Sequence, residues 1–180
     1  MREGAAVLAM IAAAFLRVAA AAEGPGLGEP APPEQVAAWD ISIAPDGAGL
    51  PAGSGTAREG LKVYEAKCMA CHGKAGAGQP NDRLAGGRGT IASATPVRTV
   101  GSYWPYATTL FDYIRRAMPY FQPQSLTSDE VYALCAYLLY VNDIIGEDAA
   151  MDAKTLPRVV MPNRDNFISG LKPLPQPANP

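Results

Sequence analysis

The chain has 180 residues, 48% hydrophobic and 18% charged, and its formal net charge at pH 7 is −2. This length predicts one globular domain with appendages, and the absence of excess positive charge gives no reason to expect nucleic-acid binding. The 17 prolines and 18 glycines concentrate outside the middle of the chain, which predicts a compact core with loop-rich flanks.

The first segment, residues 1–22, has the features of a secretory signal peptide. Arg2 precedes an apolar run over 5–16, and small residues then continue to Ala22, where cleavage is expected. The apolar run is too short to span a bilayer, and Arg17 follows it. No later segment is long enough either, so we expect an exported, periplasmic protein without a membrane span in its mature form.

Charge divides the remaining chain into three regions. Residues 23–53 hold five acidic and no basic side chains, residues 54–145 nine basic and seven acidic ones, and residues 146–180 four of each. Six prolines from Pro157 onward disfavour a long helix near the C-terminus. We therefore predict an acidic N-terminal arm, a mildly basic core domain and a proline-rich C-terminal arm, both arms extended and mostly irregular.

Two capping boxes mark helix starts in the core region. Thr56 with Glu59 opens a helix that reaches Cys68, and Thr127 with Glu130 opens the last helix. In each box the Thr hydroxyl and the Glu carboxylate satisfy each other's free backbone amides. Both helices continue with apolar residues at helical spacing.

A third helix is predicted over 107–117, with Leu110, Phe111 and Ile114 on its buried side. Between the first helix and this one, residues 73–89 are rich in glycine and show no periodicity. We interpret that stretch as a long loop. The elements together predict an all-α core.

The motif Cys68-Met69-Ala70-Cys71-His72 follows directly on the first helix. Two thiols at i and i+3 can add to both vinyl groups of one haem, and the adjacent histidine then lies under the iron, so the pattern is typical of c-type haem attachment. A thioredoxin-like dithiol would lie near a βαβ pattern, and no strands are predicted on either side of this motif. A zinc site would need four ligands, which would require all three Cys and the one His, and the adjacent Cys71 and His72 fit one tetrahedron poorly. The sequence predicts one covalent haem c on Cys68 and Cys71, with His72 as proximal iron ligand.

The single histidine excludes a bis-histidine iron, so the sixth ligand is a methionine, another donor or none, and the methionines are the named candidates. Met118, just before Pro119 and ahead of the last helix, is favoured because a loop there can bring its thioether to the haem. Met161 is the main rival and Met151 another candidate, while Met118 could also be a core filler. His/Met ligation fills both axial positions and raises the reduction potential, which favours electron transfer over ligand binding.

Other residues receive structural interpretations. Cys135 is predicted to be a buried small hydrophobe, and Gly60 and Tyr64 to pack against Leu134 and Tyr137. Of the adjacent Arg115 and Arg116, at most one can easily face the haem propionates. The aromatic residues expected to line the haem crevice are Tyr103, Trp104, Tyr106, Tyr120 and Phe121.

Longer motifs over roughly 36–168 resemble the SoxD-type cytochrome c subunit of sulfane dehydrogenase. They are Trp39-Asp40-Ile41, Pro45-Asp46-Gly47, Gly101-Ser102-Tyr103-Trp104-Pro105-Tyr106, Asp112-Tyr113-Ile114-Arg115-Arg116-Ala117-Met118-Pro119, Ser125-Leu126-Thr127 and Met161-Pro162-Asn163. The resemblance implies a class I cytochrome c fold, in which Cys68 and Cys71 attach haem while His72 and Met118 ligate the iron.

The same resemblance implies partners. In that family the cytochrome pairs in the periplasm with a molybdenum-cofactor subunit, which oxidises sulfane sulfur during thiosulfate oxidation. The cytochrome receives the electrons and passes them to another cytochrome c, so the substrate chemistry is expected on the partner subunit. Two alternatives stay open: a free-standing soluble electron carrier, and the cytochrome subunit of another dehydrogenase, such as one for sulfite.

The chain departs from the family pattern in two respects. Some members carry a second haem domain, whereas this chain has one attachment motif. Class I cytochromes c often have a proline about a dozen residues after the proximal histidine, and its carbonyl holds the imidazole. Arg83-Leu84 falls at that place here, so the carbonyl of Arg83 could serve instead.

Overall fold

The computed structural model describes residues 27–168, so the signal peptide predicted over 1–22 lies outside the described residues. The chain forms two compact units that divide after Trp39. In the first unit, helix α1 covers Pro33–Trp39 and buries none of its residues. It is an ordered turn of helix within a region for which the sequence predicted mostly irregular structure.

Over residues 40–168, the second unit has four further helices and two short strands. None of the helices in residues 27–168 is long and apolar enough to cross a membrane. In chain order the elements are β1 Ser54–Thr56, α2 Ala57–Lys67, α3 Met69–His72, α4 Ala107–Ala117, α5 Ser128–Tyr140 and β2 Ala150–Asp152, with 3-10 turns at Lys74–Gly76, Leu156–Arg158 and Arg164–Asn166.

Both predicted capping boxes are present. The hydroxyl of Thr56 accepts from the amide of Glu59, whose carboxylate accepts from the amide of Thr56 at 2.8 Å. Thr127 and Glu130 make the same reciprocal pair at the start of α5. Each box satisfies amides that have no partner within the helix, so α2 and α5 begin where the sequence predicted.

Helix α2 packs closely on α5. A Cβ atom at Gly60 would overlap the carbonyl of Ala133 and lie 2.7 Å from the Cβ of Tyr137, so only glycine fits this contact. One turn later, the rings of Tyr64 and Tyr137 have centroids 5.0 Å apart. The predicted packing of α2 against Tyr137 is confirmed, and Ala133 provides the closest approach.

A two-stranded sheet joins the two ends of the unit. Strands β1 and β2 pair antiparallel, with Gly55 opposite Met151, and the all-α expectation did not include this sheet. The pairing returns the chain to the core after α5, where Met151, Leu156 and Met161 are buried. The core therefore takes side chains from beyond residue 145, within the predicted C-terminal arm.

The part of the predicted N-terminal arm that belongs to this unit also lies on the core. Ile43 and Leu50 pack against the buried cluster. The amide of Ile43 donates to the carboxylate of Asp112 at 3.1 Å, and the hydroxyl of Tyr132 donates to the carbonyl of Pro51 at 2.8 Å. These contacts attach the segment to both α4 and α5.

The Gly60 contact yields a stability prediction. Gly60→Ala is expected to destabilise the protein by about 1–3 kcal/mol, because the added methyl group overpacks the contact with Ala133 and this outweighs the gain of about 1 kcal/mol in helix propensity. Urea unfolding of the purified protein measures the change. Gly146→Ala is the control, since a Cβ there meets nothing within 4 Å. Equal stability of both variants would contradict the close packing.

Candidate functional site

The attachment motif occupies one tight turn at the end of α2. Cys68 ends α2 with its amide bonded to the carbonyl of Tyr64 at 2.9 Å, and α3 follows at once over Met69–His72. The amide of His72 donates to the carbonyl of Cys68 at 2.9 Å. Both thiols and the imidazole are therefore presented from a single helical turn, whose position is set by α2.

This turn borders a cavity of about 400 Å³, a volume typical of cofactor sites. Cys68, Cys71, His72 and Met118 all line it, so the structure brings the four predicted site residues together. Burial raises the pKa of the Cys68 thiol to about 11, which reflects apolar surroundings. The apolar part of the lining includes Leu84, Val100, Trp104, Leu110, Ile114, Leu126, Leu134 and Leu138.

The imidazole of His72 is oriented by a backbone carbonyl. Its Nδ1 lies 2.8 Å from the carbonyl oxygen of Asp82, so Nδ1–H donates and Nε2 keeps its lone pair for a metal. The carbonyl suggested from the sequence was that of Arg83, one residue later, and that suggestion was wrong. The amide of Asn81 is fixed to the carbonyl of Cys71 at 2.8 Å, which brings Asp82 rather than Arg83 to the ring.

The three methionine candidates lie in different places. Met118 ends α4 and lines the cavity. Met151 and Met161 are 4% and 1% exposed, belong to the core, and do not line the cavity. The position of Met161 therefore does not support Met161 as the sixth ligand in place of Met118.

The cationic side chains at the cavity differ from those suggested by the sequence. Neither Arg115 nor Arg116 lines it, and Arg116 instead pairs with Asp112 at 2.8 Å within α4. Arg83 and Arg98 do line the cavity and can neutralise carboxylates there. No motif in the sequence marked either side chain: Arg83 lies in the stretch 73–89, which shows no periodicity, and Arg98 lies beyond it.

Three of the five predicted aromatic residues line the cavity. These are Trp104, Tyr120 and Phe121, whereas the prediction was wrong for Tyr103 and Tyr106. Tyr120 and Phe121 are 75% and 86% exposed. The edge of the cavity beside Met118 is therefore an open, aromatic surface.

Cys135 is separate from the cavity. It is fully buried in the core, as predicted, and burial raises the pKa of its thiol. Among residues 27–168, no cluster of three or more His, Cys, Asp or Glu side chains could hold a metal ion by itself. The zinc interpretation of the cysteines thus gains no support from the described part of the chain.

Comparisons with known proteins point in one direction. The family model described as "Cytochrome C oxidase, cbb3-type, subunit III" matches residues 55–138, from β1 through most of α5. A search of curated proteins found no match. The crystal structure of the sulfane dehydrogenase SoxCD from Paracoccus pantotrophus is similar to this chain, with 41% sequence identity and a TM-score of 0.75. The alignment covers 80% of this chain and 71% of that one.

The family match, and the helices and small sheet of the structure, are consistent with a cytochrome c domain, and such a domain implies haem c. The residues present fit this group: two thiols leave one turn, the imidazole keeps a free Nε2, a thioether lines the same cavity, and the walls are mostly apolar. When bound, haem c supplies a reversible one-electron iron couple.

The burial of Cys135 leads to a test of thiol accessibility. We expect the folded protein to react with no thiol reagent at mildly alkaline pH, because thiolate formation is suppressed at Cys135 and a covalently attached haem c would occupy the thiols of Cys68 and Cys71. Alkylation followed by mass spectrometry should label one site per chain after unfolding. Labelling of three sites in the unfolded protein would contradict covalent attachment at Cys68 and Cys71.

Proposed function

The chain belongs to the family of SoxD-type cytochromes c, and from this premise we propose that it is the electron-accepting subunit of a sulfur-oxidising dehydrogenase complex of the sulfane dehydrogenase type. The observation that carries the proposal is the 41% identity to the SoxCD structure over 80% of this chain. The family match spans the cytochrome region from α2 through most of α5.

We assign one haem c to the cavity, attached to Cys68 and Cys71, with His72 and Met118 as axial ligands in a class I cytochrome c core that is all-α around the haem. The shared lining of these four side chains and the hydrogen bond from His72 to Asp82 support the assignment. With both axial positions filled by side chains, no position remains for a substrate. This chain therefore transfers electrons, and the substrate chemistry belongs to a partner.

The proposed partner is a molybdenum-cofactor subunit in the periplasm, with a downstream cytochrome c as acceptor of the electrons. The relative is described as a sulfane dehydrogenase, which supports sulfane sulfur as the substrate of the complex and sulfite as the alternative. A signal peptide over residues 1–22 would export the chain to the compartment where haem c is attached.

A free-standing electron carrier remains the second candidate, and one observation favours it. The segments predicted as N-terminal and C-terminal arms contact the core of this chain through Ile43, Leu50, Met151 and Leu156. Their presence alone therefore does not require a partner. The complex is preferred because the identity to the SoxCD structure is high over most of the chain.

The axial assignment predicts the behaviour of a Met118 variant. Met118→Ala should give a high-spin haem that binds added cyanide or carbon monoxide readily and has a lower reduction potential, because a methionine ligand raises the potential. Optical spectroscopy and potentiometry measure both. Met161→Leu is the matched control: it removes a thioether outside the cavity at nearly constant volume. The assignment would be contradicted if Met118→Ala kept the low-spin spectrum of the wild type. It would also be contradicted if Met161→Leu lost that spectrum.

The partner is tested by purifying the untagged protein from its native host. Molybdenum and haem should co-elute from gel filtration at about one molybdenum per haem, and sulfane or sulfite should reduce the haem. The substrate that reduces it identifies the activity of the complex. Elution as a small molybdenum-free monomer, still reduced by separate dehydrogenase fractions, would favour the free carrier.

A further inference from the structure

The loop after His72 folds back onto the turn that carries the cysteines. The amide of Asn81 donates to the carbonyl of Cys71 and the amide of Gly78 to the carbonyl of His72, both at 2.8 Å. The carbonyl of Asp82 then accepts from Nδ1 of His72 at 2.8 Å. The direction of the imidazole therefore depends on where this loop lies relative to the turn.

The start of the loop is attached to helix α2 by one side chain. The hydroxyl of Tyr64 donates to the carbonyl of Gly73 at 2.8 Å, directly after His72 in the chain. A Cβ atom at Gly73, which has φ +71°, would overlap the carbonyl of Gly78. Gly73 is thus in tight contact with Gly78, whose amide donates to the carbonyl of His72. Gly73 and this part of the loop therefore move together.

Tyr64 is itself held firmly. Its side chain is 1% exposed, lines the cavity, and packs on the ring of Tyr137 from α5. Burial raises the pKa of Tyr64 to about 12, so the hydroxyl stays protonated as a donor. The donors to the carbonyls of Cys71 and His72 are amides of the loop itself. The donor to the carbonyl of Gly73 is the Tyr64 hydroxyl, which belongs to a helix fixed in the core.

We propose that the Tyr64 hydroxyl positions the axial histidine, by holding Gly73 and the loop behind it so that Asp82 keeps its hydrogen bond to His72. The inference rests on the proposed function, since it takes His72 as an iron ligand. Tyr64 lies outside the attachment motif and is neither of the proposed iron ligands. The proposal therefore adds a further residue to those that tune the haem.

The expected consequence is electronic as well as structural. A carbonyl that accepts from Nδ1–H makes the imidazole a stronger donor, which stabilises the oxidised iron and lowers its reduction potential. If the Tyr64 anchor is lost, the loop moves more freely and this hydrogen bond weakens. The reduction potential should then rise.

Tyr64→Phe tests the proposal because it removes the hydroxyl and keeps the ring that packs on Tyr137. In the haem-loaded variant we expect a higher reduction potential by potentiometry. By NMR, we also expect the His72 Nδ1 proton to exchange with solvent about fivefold faster than in the wild type. This factor corresponds to the net free energy that one hydrogen bond contributes.

Tyr132→Phe is a closely matched control. Tyr132 is also fully buried, and its hydroxyl donates to the backbone carbonyl of Pro51 at the same distance of 2.8 Å. It does not line the cavity. Both variants should lose comparable stability in urea unfolding, but Tyr132→Phe should leave the potential and the exchange of the His72 proton unchanged.

The outcomes separate the possible explanations. A change in potential and exchange confined to Tyr64→Phe supports the positioning role. If both variants lose stability but match the wild type in these two readouts, Tyr64 is structural only and the proposal is overturned. A wild-type protein that carries no haem, or whose iron is not bound by His72, would overturn the assignment of the site first and this inference with it.

Discussion

The packing of α2 on α5 is the contact on which the rest of the structure depends. Gly60 has no side chain, so α2 lies directly against the backbone of Ala133, and Tyr64 meets Tyr137 one turn later. Because α2 ends at Cys68, this contact also fixes the turn that presents the thiols and the imidazole. Helix α5 in turn contributes Leu134 and Leu138 to the cavity wall. This helix pair thus contributes to the core and holds the attachment turn in place.

Features encoded by neighbouring residues could be predicted from the sequence, and features that depend on distant residues could not. The helix starts at Ala57 and Ser128 were predicted because a capping box needs only four consecutive residues. The pairing of Gly55 with Met151 has no local signature, since it joins segments far apart in the chain. Likewise, the acceptor of His72 depends on how the glycine-rich loop returns to the turn, which periodicity does not reveal.

The segments outside the predicted core domain changed most in interpretation. From sequence, their charge and prolines predicted extended, mostly irregular arms, but the part from Asp40 onward and the return through Met151 pack on the core. The argument for a complex therefore comes from similarity over most of the chain. At the site itself, the exposed pair Tyr120 and Phe121 leaves the edge beside Met118 accessible.

The two proposed axial ligands come from separate helix ends that share one support. His72 follows α2, which rests on α5 through Gly60, and Met118 ends α4, which rests on α5 through the rings of Phe111 and Tyr132, 4.5 Å apart. Ligands carried by packed helices keep their geometry better than ligands on free loops. An electron carrier would gain from such a frame, because the helices would hold His72 and Met118 in place while a bound haem changed its charge. The loop that orients His72 is the part without helical support, and Tyr64 attaches that loop to the same helix pair.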